Sequence, residues 1–268
     1  MDKAMIEVKG LSKRYGKFEA VKGLSFSVRR GEVFGFLGPN GAGKTTTLKM
    51  ITGLLKPSEG SVFIGGRSMM DEPLVAKGML GFIPDRPYVY EKLTAVEFMR
   101  FVASLHKMEA ADVAERVGEL LSLFELSQWG GHLIENFSHG MKQRLVVATA
   151  LLPRPKLLVV DEPMVGLDPK GARLIKSIFR KICSDAGMTV FLSTHTLEVA
   201  EELCDRIAII QGGEIVVLGT LEEIREGVGG EGSLETMFLK ITAGEEGEGE
   251  ARRVDEVIAN QVKGEAHK

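Results

Sequence analysis

Cysteine is nearly absent: two residues, Cys183 and Cys204, in a chain of 268. That excludes a disulfide framework and a cysteine-rich zinc site, and both thiols read as buried and reduced, as in a cytosolic protein. No apolar run approaches the ~18 residues that a membrane span needs. The first residues, "MDKAMIEVKG", lack the apolar core of a secretion signal. Basic excess is missing too. The net charge is −3, so nothing argues for a nucleic-acid partner. There are no internal repeats and no heptads. What remains is ordinary globular composition, 44% hydrophobic and 26% charged, enough for a large core. A role at a membrane would therefore be played from the cytoplasm, through a partner.

The pattern along the chain is α/β. "MIEVKGL" and "GLSFSV" alternate as half-buried strands do, and "EVFGFL" is a more apolar strand. "KTTTLKMITGLL" has helical spacing; "GSVFIGG" and "MLGFI" are short strands. Residues 94–126 and 138–152 are helical, which makes an insertion of about 86–152 in an α/β core. "KLLVV" and "MTVFLST" are buried strands, with the helix "PKGARLIKSIFRKICSDAG" between them. "HTLEVAEELC" is a helix and "RIAIIQGGEIVVLGT" a hairpin turning at Gly-Gly. The expected divisions are 1–85 and 153–219 for the core, 86–152 for the insertion and 220–243 for a short helical extension. The stretch 244–268, beginning "GEEGEGEARR", is expected to be an acidic, flexible tail. Within it Val254, Val257, Ile258 and Val262 could form a short amphipathic turn.

One motif carries strong chemistry. "GPNGAGKT" fits G-x-x-x-x-G-K-[ST] between a strand and a helix. Gly38, Pro39, Asn40, Gly41, Ala42 and Gly43 form a loop whose N–H groups face phosphates, backed by a helix dipole. Lys44 is expected to reach the β- and γ-phosphates and to act in catalysis, Thr45 to ligate Mg²⁺, and Thr46 to bind the nucleotide beside it. ATP and Mg²⁺ are the ligands this implies. Downstream, "LLVVDEP" puts Asp161 at the carboxyl end of a buried strand, where open α/β sheets bind ligands. Asp161 is expected in the Mg²⁺ shell and Glu162 as the general base for an attacking water.

In order, these motifs resemble the ATP-binding subunit of an ABC transporter over about residues 5–242. "LDP" at 167–169 is similar to the family's D-loop, making Asp168 a dimer contact. "STH" at 193–195 makes His195 similar to the switch histidine that senses the γ-phosphate. Tyr15 stands where the family stacks an aromatic on adenine; otherwise it is a strand-edge tyrosine. The resemblance implies a P-loop NTPase, RecA-like core with an antiparallel β subdomain and an inserted α-helical subdomain. It also implies two such subunits pairing head to tail around two ATPs, on the inner face of the membrane, with a separate transmembrane permease.

Two places depart from the family pattern. Where a Gln is usual, "GFIPDRP" has Asp85, either a Mg²⁺ ligand or a turn residue between prolines. "IP-acid-x-P" and the terminal "SLETMFLKIT" resemble the branch paired with ABC-2-type export permeases, favouring export over import. The stretch after Thr220 is short for the β-barrel regulatory domain of many sugar-importer ATPases. The signature segment reads "NFSHGMKQRL" instead of the usual L-S-G-G-Q form. Ser138 is expected to cap a helix and face the γ-phosphate, and Gly140 to let N–H groups approach it. Met141 loses an amide. His139 either adds charge near the γ-phosphate or is exposed and touches nothing. Two other functions remain open on the sequence: a catalytically degenerate half of a heterodimeric transporter, and a soluble ABC-type ATPase.

Overall fold

The computed structural model describes residues 4–86, 88–228 and 234–238. The chain opens on an antiparallel hairpin, β1 (Ile6–Tyr15) and β2 (Phe18–Val28). Both strands run longer than their alternating patterns. Register shifts between Val8 and Leu11 and again between Leu11 and Arg14 break the two-residue period there. The chain then enters β3 (Val33–Leu37) and α1 (Lys44–Ile51) before returning as β4 (Glu59–Ile64) and β5 (Arg67–Ser68). These give a four-stranded sheet of order β2-β1-β4-β5. A five-residue helix, α2 (Pro73–Lys77), follows; it has no counterpart in the sequence reading.

The second sheet has six strands. β6 (Leu80–Ile83), β7 (Leu157–Asp161), β8 (Thr189–Thr194), β9 (Arg206–Gln211) and β10 (Glu214–Gly219) join β3 in the order β10-β9-β3-β8-β7-β6. All neighbours are parallel except β9 and β10, the hairpin at Gly212-Gly213. β3, β7 and β8 are buried at every residue, which is why "VFGFL", "LLVVD" and "TVFLST" show little alternation. Phe34 and Phe36 lie two apart on β3 and meet Phe191 of β8 and Phe26 of β2, with ring centroids 5.5–6.1 Å apart. Burial of four rings joins the two sheets into one core.

Between β6 and β7 stand α3 (Ala95–Leu105), α4 (Ala110–Leu123) and α5 (His139–Leu151). A reciprocal capping box starts α3: the Glu97 N–H donates to Thr94, and Glu97 accepts from the Thr94 N–H. α5 buries Gln143, Leu145, Val146, Val147, Ala148, Thr149 and Leu151, so it has almost no solvent face. It contacts α3, α4, β6 and α6 (Pro169–Ser184), the helix after β7. An apolar surface around most of a helix requires such a central position. α7 (Leu197–Leu203) follows β8.

The contacts divide the chain into 1–220 and 221–268. In the second part α8 (Leu221–Val228) and residues 234–238 are helical. The expected helix over 233–242 lies otherwise outside the described residues, as does the acidic tail 244–268 with its valines. Both cysteines are free and buried. Among the described residues no helix is long and apolar enough to cross a membrane.

Candidate nucleotide site

The parallel strands deliver their carboxyl ends to one place. β3 ends at Leu37, and the loop 38–43 curls back into α1. Two glycines make this turn possible. A Cβ at Gly38 would lie 2.3 Å from the Ile210 carbonyl oxygen, and one at Gly43 2.6 Å from that of Ala20. Gly43 also caps α1 at φ +107°, a left-handed conformation, and brings no side chain to the first-turn N–H groups. Those donors stay available, as an anion site at a helix start requires.

Lys44 is 7% exposed, and its Nζ donates to the Gly38 oxygen at 2.6 Å and the Pro39 oxygen at 3.2 Å. Burial pulls its pKa below the ordinary lysine value, against the charges of Glu162 and Asp161. The Thr45 hydroxyl donates to Asp161 Oδ2 at 3.1 Å, joining α1 to the end of β7. Asp161 is 3% exposed. Burial pushes its carboxyl pKa up, and the Thr45 hydrogen bond opposes that shift.

Glu162 follows in a left-handed conformation, φ +47°, which a non-glycine residue adopts at a cost. Its N–H donates to the Ser193 oxygen at 2.9 Å, tying it to β8. The side chain then meets the end of β8 at two points. Oε2 accepts from the Thr194 hydroxyl at 3.1 Å, and Oε1 lies 2.7 Å from His195 Nδ1. The unusual backbone is what turns this carboxylate across to the neighbouring strand end.

A cleft of about 470 Å³ gathers Pro39, Asn40, Gly41, Gly43, Lys44, Thr45 and Thr46 of the phosphate loop with Asp161, Glu162 and His195, while Gly38 and the buried Ala42 do not line it. Asp85, just past β6, lines it as well, and its charge helps to raise Asp161. Tyr15 stands at the rim, half exposed, with Lys13 Nζ 5.4 Å from its ring centroid. Phe18, its partner across the β1–β2 turn, lines the same cleft and is 64% exposed. The sequence reading missed Phe18; the signal was an aromatic on the polar side of a turn.

Ser138, Gly140 and Asp168 lie outside that cleft. Ser138 caps α5, its Oγ accepting from the Met141 N–H at 3.2 Å. Asp168 caps α6 in the same way, accepting from the Gly171 N–H at 3.1 Å. His139 is exposed, as one of its two readings has it, but it does not stand without a contact. A Cβ on Gly166 would lie 2.4 Å from the His139 ring Cδ2, so the imidazole rests on the glycine of the 162–168 loop. Gln143 makes a second link: 1% exposed, it donates to the Pro163 oxygen at 3.4 Å. The signature helix thus grips the loop that begins at Glu162. A lone buried glutamine in an apolar helix was the available sign of this.

Known proteins resemble this chain in sequence and fold. A family model described as ABC transporter matches residues 21–165, from the hairpin through the phosphate loop and signature helix to Glu162 and beyond. The chain belongs to the ABC transporter family. The cassette is 39% identical over 227 residues to the linearmycin resistance ATP-binding protein LnrL of Bacillus subtilis, covering 85% of this chain and 73% of that protein. It is 38% identical to the Nod factor export ATP-binding protein I of Ralstonia nicotianae, covering 82% and 68%. Among solved structures, an ATP-binding subunit of an ABC transporter superposes with a TM-score of 0.83 at 34% identity, covering 88% of this chain and 99% of that one. A dimeric bacterial ABC transporter cassette superposes at 0.75 and 29% identity, covering 81% and 99%. The fold is that of the P-loop ATPase cassettes, and this chain is the ATP-binding subunit of an ABC transporter.

Proposed function

We propose that this cassette hydrolyses ATP with Mg²⁺ as one half of a dimer, on the cytoplasmic face of a membrane, to drive a separate export permease. The observation that carries the reading is the bonded set Thr194–Glu162–His195 beside a phosphate loop and Thr45–Asp161. A degenerate half would not need its base held by two partners.

Thr45, Asp161 and Asp85 offer hard oxygen donors to one cleft, the chemistry that Mg²⁺ prefers alongside nucleotide phosphates. When bound, the ion neutralises charge on the β- and γ-phosphates. The chain's own residues do the rest. The N–H groups of Gly41 and of 43–46 hold the phosphates, and Lys44 exchanges its loop carbonyls for their oxygens. Glu162 orients water and takes its proton. His195 and Thr194 fix the rotamer of that carboxylate, and His195 meets the γ-phosphate. Tyr15 stacks on adenine.

Ser138, Gly140 and Asp168 lie outside the cleft of their own chain, which suits residues that act on a partner's ATP. Solution of a related cassette as a dimer supports this. Export is supported by relatives named for resistance and export.

The test is ATP turnover by the purified chain, with and without Mg²⁺, and its membrane co-purification. Binding without turnover would establish a degenerate half. Co-purification with ribosomes instead of a polytopic membrane protein would establish a soluble ATPase.

A further inference from the structure

We propose a second ligand site in this cassette, for a small amphiphilic anion, at the end of the parallel sheet opposite the nucleotide cleft. The cleft lies past the carboxyl ends of β3, β7 and β8. At their amino ends is a cavity of about 550 Å³, within the range of small-molecule pockets. Lys156 immediately precedes β7, Met188 immediately precedes β8, and Arg30 stands in the turn before β3. Five residues of β7 separate the two sites, about 17 Å of strand.

The charge around this cavity has one sign. Arg30, Arg116, Arg154 and Lys156 line it, and among the described residues no carboxylate does. Arg116 pairs with Glu119 at 2.9 Å, outside the lining, and its Nη2 reaches the Leu151 oxygen at 3.5 Å. Among the described residues Arg30, Arg154 and Lys156 have no ion-pair partner. Like charges gathered at one cavity repel, and an anion relieves that cost.

Two further features fix the cationic side chains in place. Arg116 has its Nη1 on Glu119 at 2.9 Å and its Nη2 on the Leu151 oxygen at 3.5 Å, which holds the guanidinium in place at the cavity wall. Arg154 sits between Pro153 and Pro155 with its backbone left-handed at φ +53°, in the turn that ends α5, where its N–H donates to the Leu151 oxygen at 3.1 Å. The remaining walls are apolar, including Leu120, Leu151, Ile182 and Met188. Cationic groups over an apolar floor suit a phosphate head on a hydrocarbon body. An acidic-lipid headgroup and a soluble organic phosphate share that chemistry.

Calorimetric titration with hexyl phosphate tests the site. The full chain binds it more tightly than inorganic phosphate, and hexanol does not bind. Arg154→Ala combined with Lys156→Ala weakens hexyl phosphate by about tenfold or more while leaving ATP affinity unchanged, because both side chains are exposed and far from the phosphate loop. Lys44→Ala leaves that binding component in place. Equal affinity in the Arg154/Lys156 variant, or loss of all binding in Lys44→Ala alone, overturns the proposal. Sedimentation with phosphatidylglycerol vesicles but not phosphatidylcholine vesicles, lost in the same double variant, assigns the site to a lipid headgroup. Hexyl phosphate binding without sedimentation assigns it to a soluble organic phosphate.

Discussion

Glu162 Oε1 and His195 Nδ1 lie 2.7 Å apart, though 33 residues separate them in the chain. The contact exists because β7 and β8 are neighbours in register, with Asp161 opposite Ser193. The residues just past those two strand ends must then meet. A carboxylate with its backbone at φ +47° and both oxygens engaged is held for a purpose.

Glu162→Gln removes the base and keeps the shape. ATP binding is retained, turnover falls by about 10²–10⁴-fold, and an ATP-dependent dimer accumulates on gel filtration. Turnover at the original rate would refute the assignment.

His195→Ala lowers turnover as well. If His195 works through Glu162, the two changes are not additive, and Glu162→Gln/His195→Ala is no slower than Glu162→Gln alone. Additive losses in the steady-state rate would show that the histidine acts separately.

Ser138 has two separable duties. Ser138→Ala loses the cap on α5, about 1 kcal/mol, seen as a melting temperature lower by about 2–4 °C. Ser138→Arg should leave ATP binding to single copies intact and block dimer closure. Normal hydrolysis by the arginine variant would show that this helix start never faces a phosphate.

Gly166→Ala drives a Cβ into the His139 ring and strains a backbone at φ +76°. Both effects destabilise the fold, on the order of 1–3 kcal/mol together, and so lower the melting temperature. Adding His139→Gly removes only the clash. Partial recovery in Gly166→Ala/His139→Gly is the expected result; no recovery would mean that the ring does not press on this glycine.

Burial pushes Cys183 up to about 12 and raises Cys204 as well. Unfolded thiols ionise near pH 8.5. The folded state therefore keeps protons that the unfolded state loses. The stability this supplies is complete below about pH 8.5 and is lost as pH rises toward the folded value. Denaturant midpoints should fall from pH 8 to pH 10, and fall less in Cys183→Ala/Cys204→Ala. A disulfide reagent at pH 8 should find no reactive thiol until the protein is unfolded.

Much of the site was legible because its parts are short and local. "GPNGAGKT" specifies a loop through glycines next to one another, and "LLVVDEP" announces a buried strand with acids at its end. Ser138 was readable as a cap from position alone, and the structure has it as one. α2 was not readable, since five residues carry too little periodicity. The full lengths of β1 and β2 were not readable either, because their bulges interrupt the alternation.

The sequence by itself determined which chemistry the chain can perform, since phosphate loop, strand-end acids and signature helix each lie within a few adjacent residues. Tertiary structure alone decided which groups act on one another. Thr45 bonds Asp161 across 116 positions, Gln143 reaches Pro163, Phe18 joins Tyr15 at the cleft and His139 settles on Gly166. Such pairings follow from the order and register of strands and from how tightly α5 is buried. These are set by packing over the whole core, which no local stretch of residues records.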